Sequence, residues 1–179
     1  MVRPTDHEAQ RLESIRNSVL TVMRDLPIGT LDPCKAVPLG VLRSHAVRRH
    51  GATRFSQSEV VVVDLHPRLL DEAWARYARF VMYHEFLHVI GFRTHDARFR
   101  SLERLWPDME ARAFGRSFAA WLDRTRPAWA WACPSCGLRV HRRVRSNGRY
   151  RCSPCDTILM DVKLKASEPS SIRHTAAGT

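Results

Sequence analysis

Apolar residues recur at helical spacing over residues 7 to 26, where Leu12, Ile15, Val19, Val22, Met23 and Leu26 share one face before Pro27 and Gly29 close the segment. This predicts an amphipathic packing helix. From Gly29 to Gly51 the pattern breaks, because Pro33, Pro38 and Gly40 interrupt short apolar pieces; the expectation is irregular chain with a strand or short helix around Val41 to Val47. The run Glu59-Val60-Val61-Val62-Val63-Asp64-Leu65 is β-branched and nearly continuous, as a strand buried on both faces would be, and Pro67 ends it. Residues 69 to 90 contain neither Gly nor Pro and make the longest predicted helix, with Gly91 where a C-terminal cap belongs. A further helix is expected from about Asp96, carrying Phe99, Leu102, Leu105 and Trp106 on one side before Pro107, and another from about Met109 to Asp123.

After Arg126-Pro127 the pattern changes character. Trp129 and Trp131 alternate with alanine at strand period, and Asn147-Gly148 between two short strand-like runs signals a two-residue hairpin. The organisation expected is therefore a first domain over 1–126, a second over 127–165, and a small polar tail, 166–179, without structure of its own.

A chain of 179 residues with 44% hydrophobic content supports one domain with its own core and a small appendage that needs outside help to fold. The formal net charge of +11 favours a densely negative partner, with nucleic acid ahead of an anionic membrane because no long apolar span accompanies the charge. The competing reading is a soluble, arginine-rich surface. Lysine occurs only at Lys35, Lys163 and Lys165, so nearly all the basic groups are guanidinium, which suits bidentate phosphate contact. The N-terminus has no signal-peptide pattern, so the chain is expected to be cytoplasmic and, without a membrane partner, to work as a monomer. In that reducing setting CxxC pairs point to metal rather than to disulfides. Cys34 is left over as either a thiolate switch or an ordinary buried thiol.

Within the long helix lies His84-Glu85-Phe86-Leu87-His88. Residues four apart share a helix face, so His84 and His88 can aim imidazole nitrogens at one ion while Glu85 projects beside them towards a water. Zinc with three protein ligands keeps a fourth position open for that water and lowers its pKa to about 7, and the carboxylate serves as general base. A third ligand must come from beyond the helix. His95, after the turn at Gly91, is favoured, with Glu103 or Glu110 on a later helix as the other solutions. The metzincin pattern is rejected because the histidine after the glycine arrives one residue late. Tyr77, Tyr83 and nearby arginines are the groups available to stabilise an oxyanion.

Cys133-Pro-Ser-Cys136 and Cys152-Ser-Pro-Cys155 are separated by a stretch of ribbon length. Each pair presents two thiolates, and a closed four-sulfur shell leaves no open position, so zinc there is expected to be a folding cofactor. Iron takes the same four thiolates, and a redox dithiol is the weaker alternative. Between the pairs lie Arg139, Arg142, Arg143, Arg145, Arg149 and Arg151 with Tyr150, a composition able to contact phosphates and stack on unpaired bases, or simply a solvated charged hairpin.

The order of parts resembles the SprT-like (Spartan-type) metalloprotease family: the strand VVVVDLHPRLL, a helix with HEFLH, HDARF after it, and a ribbon with HRRVRSNGRYRCSPC. The short interval from His88 to His95, followed by Trp106-Pro107-Asp108, is similar to the related YgjP-type zincins. The resemblance implies an α+β, zincin-like metalloprotease domain, with helices packed on a small sheet, and a C-terminal β zinc ribbon. It implies that His84, His88 and His95 hold a catalytic zinc with Glu85 catalytic, that the four cysteines hold a structural zinc, and that proteins covalently trapped on DNA are the substrates. A nucleic-acid-binding module that does not catalyse and a peptidase unconnected with DNA are the competing expectations.

Overall fold

Thr5 starts the first helix. Its hydroxyl accepts the Glu8 N–H at 3.3 Å while its own N–H donates to Glu8 Oε2 at 2.8 Å, a reciprocal cap that satisfies two otherwise orphaned donors. Helix α1 (Asp6–Met23) buries Leu12, Ile15, Val19, Leu20 and Met23, and it ends before Leu26. In the computed structural model the described residues are 3–44, 46, 48–125 and 127–164, and the chain divides into two compact units, Met1–Ala120 and Trp121–Thr179. The expected tail, 166–179, lies outside the described residues.

In the first unit, α2 (Asp32–Ala36) leads into strand β1 (Leu39–Val41), followed by β2 (Gly51–Ser56) and β3 (Glu59–Leu65). The sheet order is β1-β3-β2, with β1 parallel and β2 antiparallel to the central β3. Arg16, buried on α1, donates to the carbonyls of Lys35 at 2.8 Å and Val37 at 2.5 Å, so one guanidinium fastens α1 to the segment entering the sheet. The element expected around Val41 to Val47 is a strand that ends at Val41, and His45 and Val47 lie outside the described residues. Strand β2 was not foreseen, because Gly-Ala-Thr-Arg-Phe-Ser is exposed along its second half and carries no apolar alternation. Burial of β3 on both faces holds for Val62, Val63 and Leu65 but not for Val61, which is 45% exposed.

The long helix begins later than its uninterrupted sequence predicts. Pro67–Leu70 and Glu72–Trp74 are separate 3-10 turns, because the His66 ring nitrogen caps the Arg68 N–H and Asp71 adopts an extended ψ of 140° that no helix tolerates. Helix α3 (Ala75–Val89) then packs on α1, β2 and β3. It closes in a left-handed turn: Gly91 has φ +109°, its N–H reaches His88 O at 3.1 Å, and Phe92 N–H reaches Leu87 O at 3.1 Å. Asp96 caps α4 (Ala97–Glu103) by accepting the Phe99 N–H at 2.9 Å. The last predicted helix is split, with a 3-10 turn at Ala111–Ala113 before α5 (Phe114–Thr125).

In the second unit β4 (Trp129–Ala132) is the centre of an antiparallel sheet, flanked by β5 (Arg139–Arg142) and β6 (Met160–Lys163). Asn147 and Gly148 do form a turn, both with positive φ, closed by Arg149 N–H to Ser146 O at 3.0 Å. The runs beside it are not paired as a hairpin. Instead the Asp161 carboxylate takes the N–H groups of Ser146 (2.5 Å) and Asn147 (2.9 Å), the run before the turn pairs with β4, and Arg151 after it makes an isolated bridge to Ile158. Trp131, Cys133, Cys152 and Leu159, with Cys155 against them, are the small core of this unit.

His66 is fully buried, and burial drags its pKa down from 6.5 to about 4. The folded state therefore resists protonation that the unfolded chain accepts. The contribution, roughly 3 kcal/mol, is complete above about pH 6.5 and is lost as pH falls towards about 4. Replacing His66 with Gln, which does not titrate, is expected to flatten this part of the melting-temperature profile; proton uptake by other groups, common to both proteins, cancels in the comparison.

Candidate metal centres

Helix α3 places His84 and His88 one turn apart, and the Gly91 turn brings His95 back to them. One ligand atom from each lies within 4.8 Å of the others. The Nε2 atoms of His88 and His95 are 3.1 Å apart and those of His95 and His84 are 3.0 Å apart. Nitrogens bound to one tetrahedral zinc at ordinary lengths are separated by about 3.3 Å. The expected trio is thus assembled at a spacing that suits a single small cation.

The other ring nitrogens explain the orientation. His84 Nδ1 lies 2.7 Å from Glu103 Oε1, and His88 Nδ1 lies 2.6 Å from the Phe92 carbonyl. Both partners only accept, so each Nδ1 carries the proton and each Nε2 presents a lone pair inwards. A proton on His95 Nε2 satisfies only one of those lone pairs, whereas a cation satisfies all three. Burial lowers the pKa of His88 and of His95, with the charge of His84 adding to both, and this keeps them in the neutral form that ligates. The hydrogen bond from His84 holds the buried Glu103 carboxyl below its ordinary range and therefore ionised. Phe99, itself buried, backs the cluster with ring centroids 4.9, 4.8 and 4.7 Å from those of His84, His88 and His95.

Glu103 thus stands behind a ligand rather than among the ligands, and Glu110 is elsewhere, paired with Arg76 at 3.1 Å. Glu85 is buried next to β2. Its Oε2 lies 2.8 Å from the Thr53 hydroxyl, and a Cβ on Gly51 would come within 2.7 Å of its Oε1. Burial raises its pKa, opposed by His84 and the Thr53 hydroxyl, and a carboxylate so tuned is a better proton acceptor near neutral pH. Neither tyrosine is available to an oxyanion. Tyr83 donates to Leu102 O at 2.5 Å, Tyr77 pairs with His50 Nδ1 at 2.7 Å, and burial lifts both to about 12. A recess of about 230 Å³ beside His84 and His95 is lined instead by Arg100 and Arg112. Cys34 is fully buried against the Phe86 carbonyl at 3.7 Å with its thiol pushed up to about 12, the behaviour of an inert core thiol. The sequence carries no sign of Thr53, Gly51 or the Phe92 carbonyl, whose roles depend on a strand and a turn that local pattern does not specify.

The second cluster is Cys133, Cys136, Cys152 and Cys155, again with all ligand atoms within 4.8 Å and no disulfide. Sγ separations of 3.5 Å (Cys136 to Cys152) and 3.8 Å (Cys152 to Cys155) compare with about 3.8 Å between sulfurs sharing a tetrahedral zinc. Each pair ends in a left-handed residue, Gly137 (φ +73°) or Asp156 (φ +50°), whose N–H returns to the first cysteine's carbonyl. The Cys136 N–H draws the Cys133 thiol down to about 7, while burial pushes Cys152 up to about 12. The donor chemistry and spacing fit a metal at both places.

The class defined so far is a mixed α+β chain with two groups of metal-ligating side chains, three imidazoles and four thiols. Comparisons with protein-family models, curated proteins and solved structures return no match for this chain. Among the described residues no helix is long and apolar enough to cross a membrane.

Replacing Glu103 with Gln is expected to weaken metal affinity at the imidazole cluster about 10- to 100-fold without changing the thiol cluster, as read by chelator competition with separate counting of the two ions. Replacing Cys152 with Ala is expected to remove one metal equivalent and the amide-exchange protection of residues 129–163, leaving the first unit folded.

Proposed function

We propose that this chain is a zinc-dependent metalloendopeptidase of zincin-like fold acting on DNA-associated proteins, as in the repair of DNA–protein crosslinks, with one catalytic and one structural zinc. The observation that carries this reading is the convergence of three Nε2 atoms, with Glu85, next to His84 on the same helix, buried and tethered by the Thr53 hydroxyl. Three ligands leave a coordination place open, the arrangement that separates catalytic from structural zinc. Zinc bound there supplies a Lewis acid that acidifies water and polarises a peptide carbonyl. Glu85 then takes the water's proton on its carboxylate and returns it to the amine nitrogen released as the C–N bond breaks, ending in the state in which it began. Thr53 and Gly51 hold that carboxylate at the edge strand β2, whose open side offers backbone groups to an extended polypeptide.

The coupling to DNA is supported by the second unit. Arg142 stacks over Trp131 at 5.2 Å and Arg145 over Trp129 at 5.0 Å, while Tyr150 lies flat on Trp131 at 4.4 Å and keeps 51% of its surface exposed. Guanidinium groups for phosphates beside an open aromatic face for a base fit a nucleic acid better than a merely solvated surface does.

The test is cleavage of a protein crosslinked to DNA by the wild type and by Glu85→Gln in parallel. Wild type is expected to cleave, and the variant to lose at least about a thousandfold in rate while keeping both zinc ions and DNA binding. A fully zinc-loaded wild type that cleaves no tethered protein would leave a binding module as the reading, and cleavage indifferent to DNA at modest salt would leave a general peptidase. Gly51→Ala is expected to reduce turnover with zinc content unchanged, because the added methyl displaces the Glu85 carboxylate.

A further inference from the structure

Helix α4 and the 3-10 turn after it put two arginines beside the imidazole cluster. The recess of about 230 Å³ in the first unit is walled by His84, His95, Phe99, Arg100, Glu103 and Arg112. The Nε2 atoms of its two imidazoles are 3.0 Å apart and face the place where a cation fits. A group lodged in the recess therefore lies beside whatever such an ion binds.

The arginines on α4 and at its end are not alike. Arg98 lays its guanidinium 5.1 Å over the Phe92 ring, and Arg104 donates to the Ser101 hydroxyl at 3.2 Å. Arg100 has no ion-pair partner among the described residues, although Glu103 stands three residues further along the same helix. That carboxylate is taken by His84 at 2.7 Å, and its second oxygen faces Arg112 at 3.7 Å. A separation of that size is too long for a hydrogen bond, so Arg112 keeps its paired N–H donors for another acceptor. Its backbone is pinned all the same. Asp108 accepts the Ala111 N–H at 3.2 Å in the turn Ala111–Ala113, and Arg76 grips Asp108 through bonds of 2.8 and 2.6 Å. Two guanidiniums against one carboxylate leave the recess net positive.

We propose that this recess is a carboxylate-binding subsite, in which Arg100 and Arg112 receive a carboxylate that the polypeptide substrate carries close to the scissile bond, from an acidic side chain or from its own C-terminus. The inference rests on the metallopeptidase reading and adds to it the chemistry of the substrate selected. A carboxylate matches the guanidinium fork with two parallel N–H···O bonds, shorter and stronger than those a neutral amide accepts. A lysine or arginine of the substrate meets like charge there instead. For a protein trapped on DNA the consequence is a choice of cutting place. Its basic segments lie on the phosphates, its acidic segments are repelled from them, and the recess selects the acidic ones.

The experiment uses the full wild-type chain loaded with zinc. Hydroxamates carrying a dipeptide on either side of the chelating group are titrated calorimetrically. The residue next to the chelator is glutamate or glutamine with every other charge blocked, and a third form has glutamine and a free C-terminal carboxylate. At least one carboxylate form is expected to bind roughly tenfold or more tightly than the neutral form, and which one does so names the source. Arg100→Gln is expected to bring that ratio close to one with zinc content unchanged. Arg98→Gln, the same loss of charge outside the recess, is expected to leave the ratio intact. Equal binding of all forms overturns the subsite. A ratio lowered as much by Arg98→Gln as by Arg100→Gln also overturns it, because the general field of a chain of net charge +11 then explains the preference. An oligonucleotide that abolishes the glutamate advantage while both hydroxamates stay bound gives the recess to a phosphate and overturns it as well. The wild type offered a degenerate peptide mixture separates the two readings: cleavage indifferent to acidic residues and to the free C-terminus sinks the subsite alone, whereas the expected hydroxamate ratios with no cleavage sink the hydrolytic reading and leave the subsite standing. Imidazoles that take no metal, and so bind no hydroxamate, sink both.

Discussion

Two hydrogen bonds set the imidazole cluster, and the rest of the first unit is arranged to supply their acceptors. An imidazole offers a directed lone pair on Nε2 only while Nδ1 keeps its proton, and a proton stays where an acceptor holds it. For His88 that acceptor is the Phe92 carbonyl, and for His84 it is the Glu103 carboxylate. Both come from the thirteen-residue stretch 91–103, which also delivers His95 and the Phe99 ring. Gly91 is the pivot. Its positive φ ends α3, turns the Phe92 carbonyl towards His88, and sends the chain back so that the cap at Asp96 starts α4 beside α3.

Glu103 shows what the arrangement costs and how the cost is met. A buried carboxylate without a partner is unfavourable by several kcal/mol. Here one oxygen takes the His84 N–H at 2.7 Å, and the other faces the Arg112 guanidinium at 3.7 Å, a looser contact with a half-exposed group. The first is the stronger interaction because it is short, charge-assisted and sheltered. His84 is therefore held by an ion whose own burial makes it dependent on His84, and the orientation is mutual.

The two clusters of side chains able to hold a metal were legible in the sequence because each member sits in a local pattern with a chemical meaning: two histidines four apart on a helix, one after a glycine turn, and two CxxC pairs. The strand β3 and the helices α1 and α4 were legible for the same reason, since their apolar spacing or caps are local. What escaped is non-local. Strand β2 exists because β3 gives it hydrogen bonds, not because its own residues demand it, and with β2 the Thr53 contact to Glu85 was hidden as well. The start of α3 was misplaced because uninterrupted helical sequence says nothing of a backbone held extended at Asp71. In the second unit the turn at Asn147-Gly148 was legible from its residue types, but its surroundings are non-local: the run before it pairs with β4, and its N–H groups go to Asp161, fourteen residues away from Asn147.

The two units differ in how far their own cores can carry the fold. The first buries Leu12, Val19, Met23, Leu65, Leu69, Met82, Tyr83, Phe86 and Phe118 almost completely, a core able to hold a fold before any ion arrives. There the imidazole cluster lies at the end of elements already fixed by apolar burial. In the second, two of the four core side chains, Cys133 and Cys152, belong to the thiol cluster able to hold a metal. Take the metal away and the same groups must pack as thiols crowded within 4.8 Å of one another, with Trp131 and Leu159 as the only other members of that cluster. Burial of two such side chains is worth only about 3–6 kcal/mol, far less than the ordering entropy of the residues around them. A metal held by these four thiols would therefore couple its own binding to the folding of this unit and of the aromatic and arginine surface it carries.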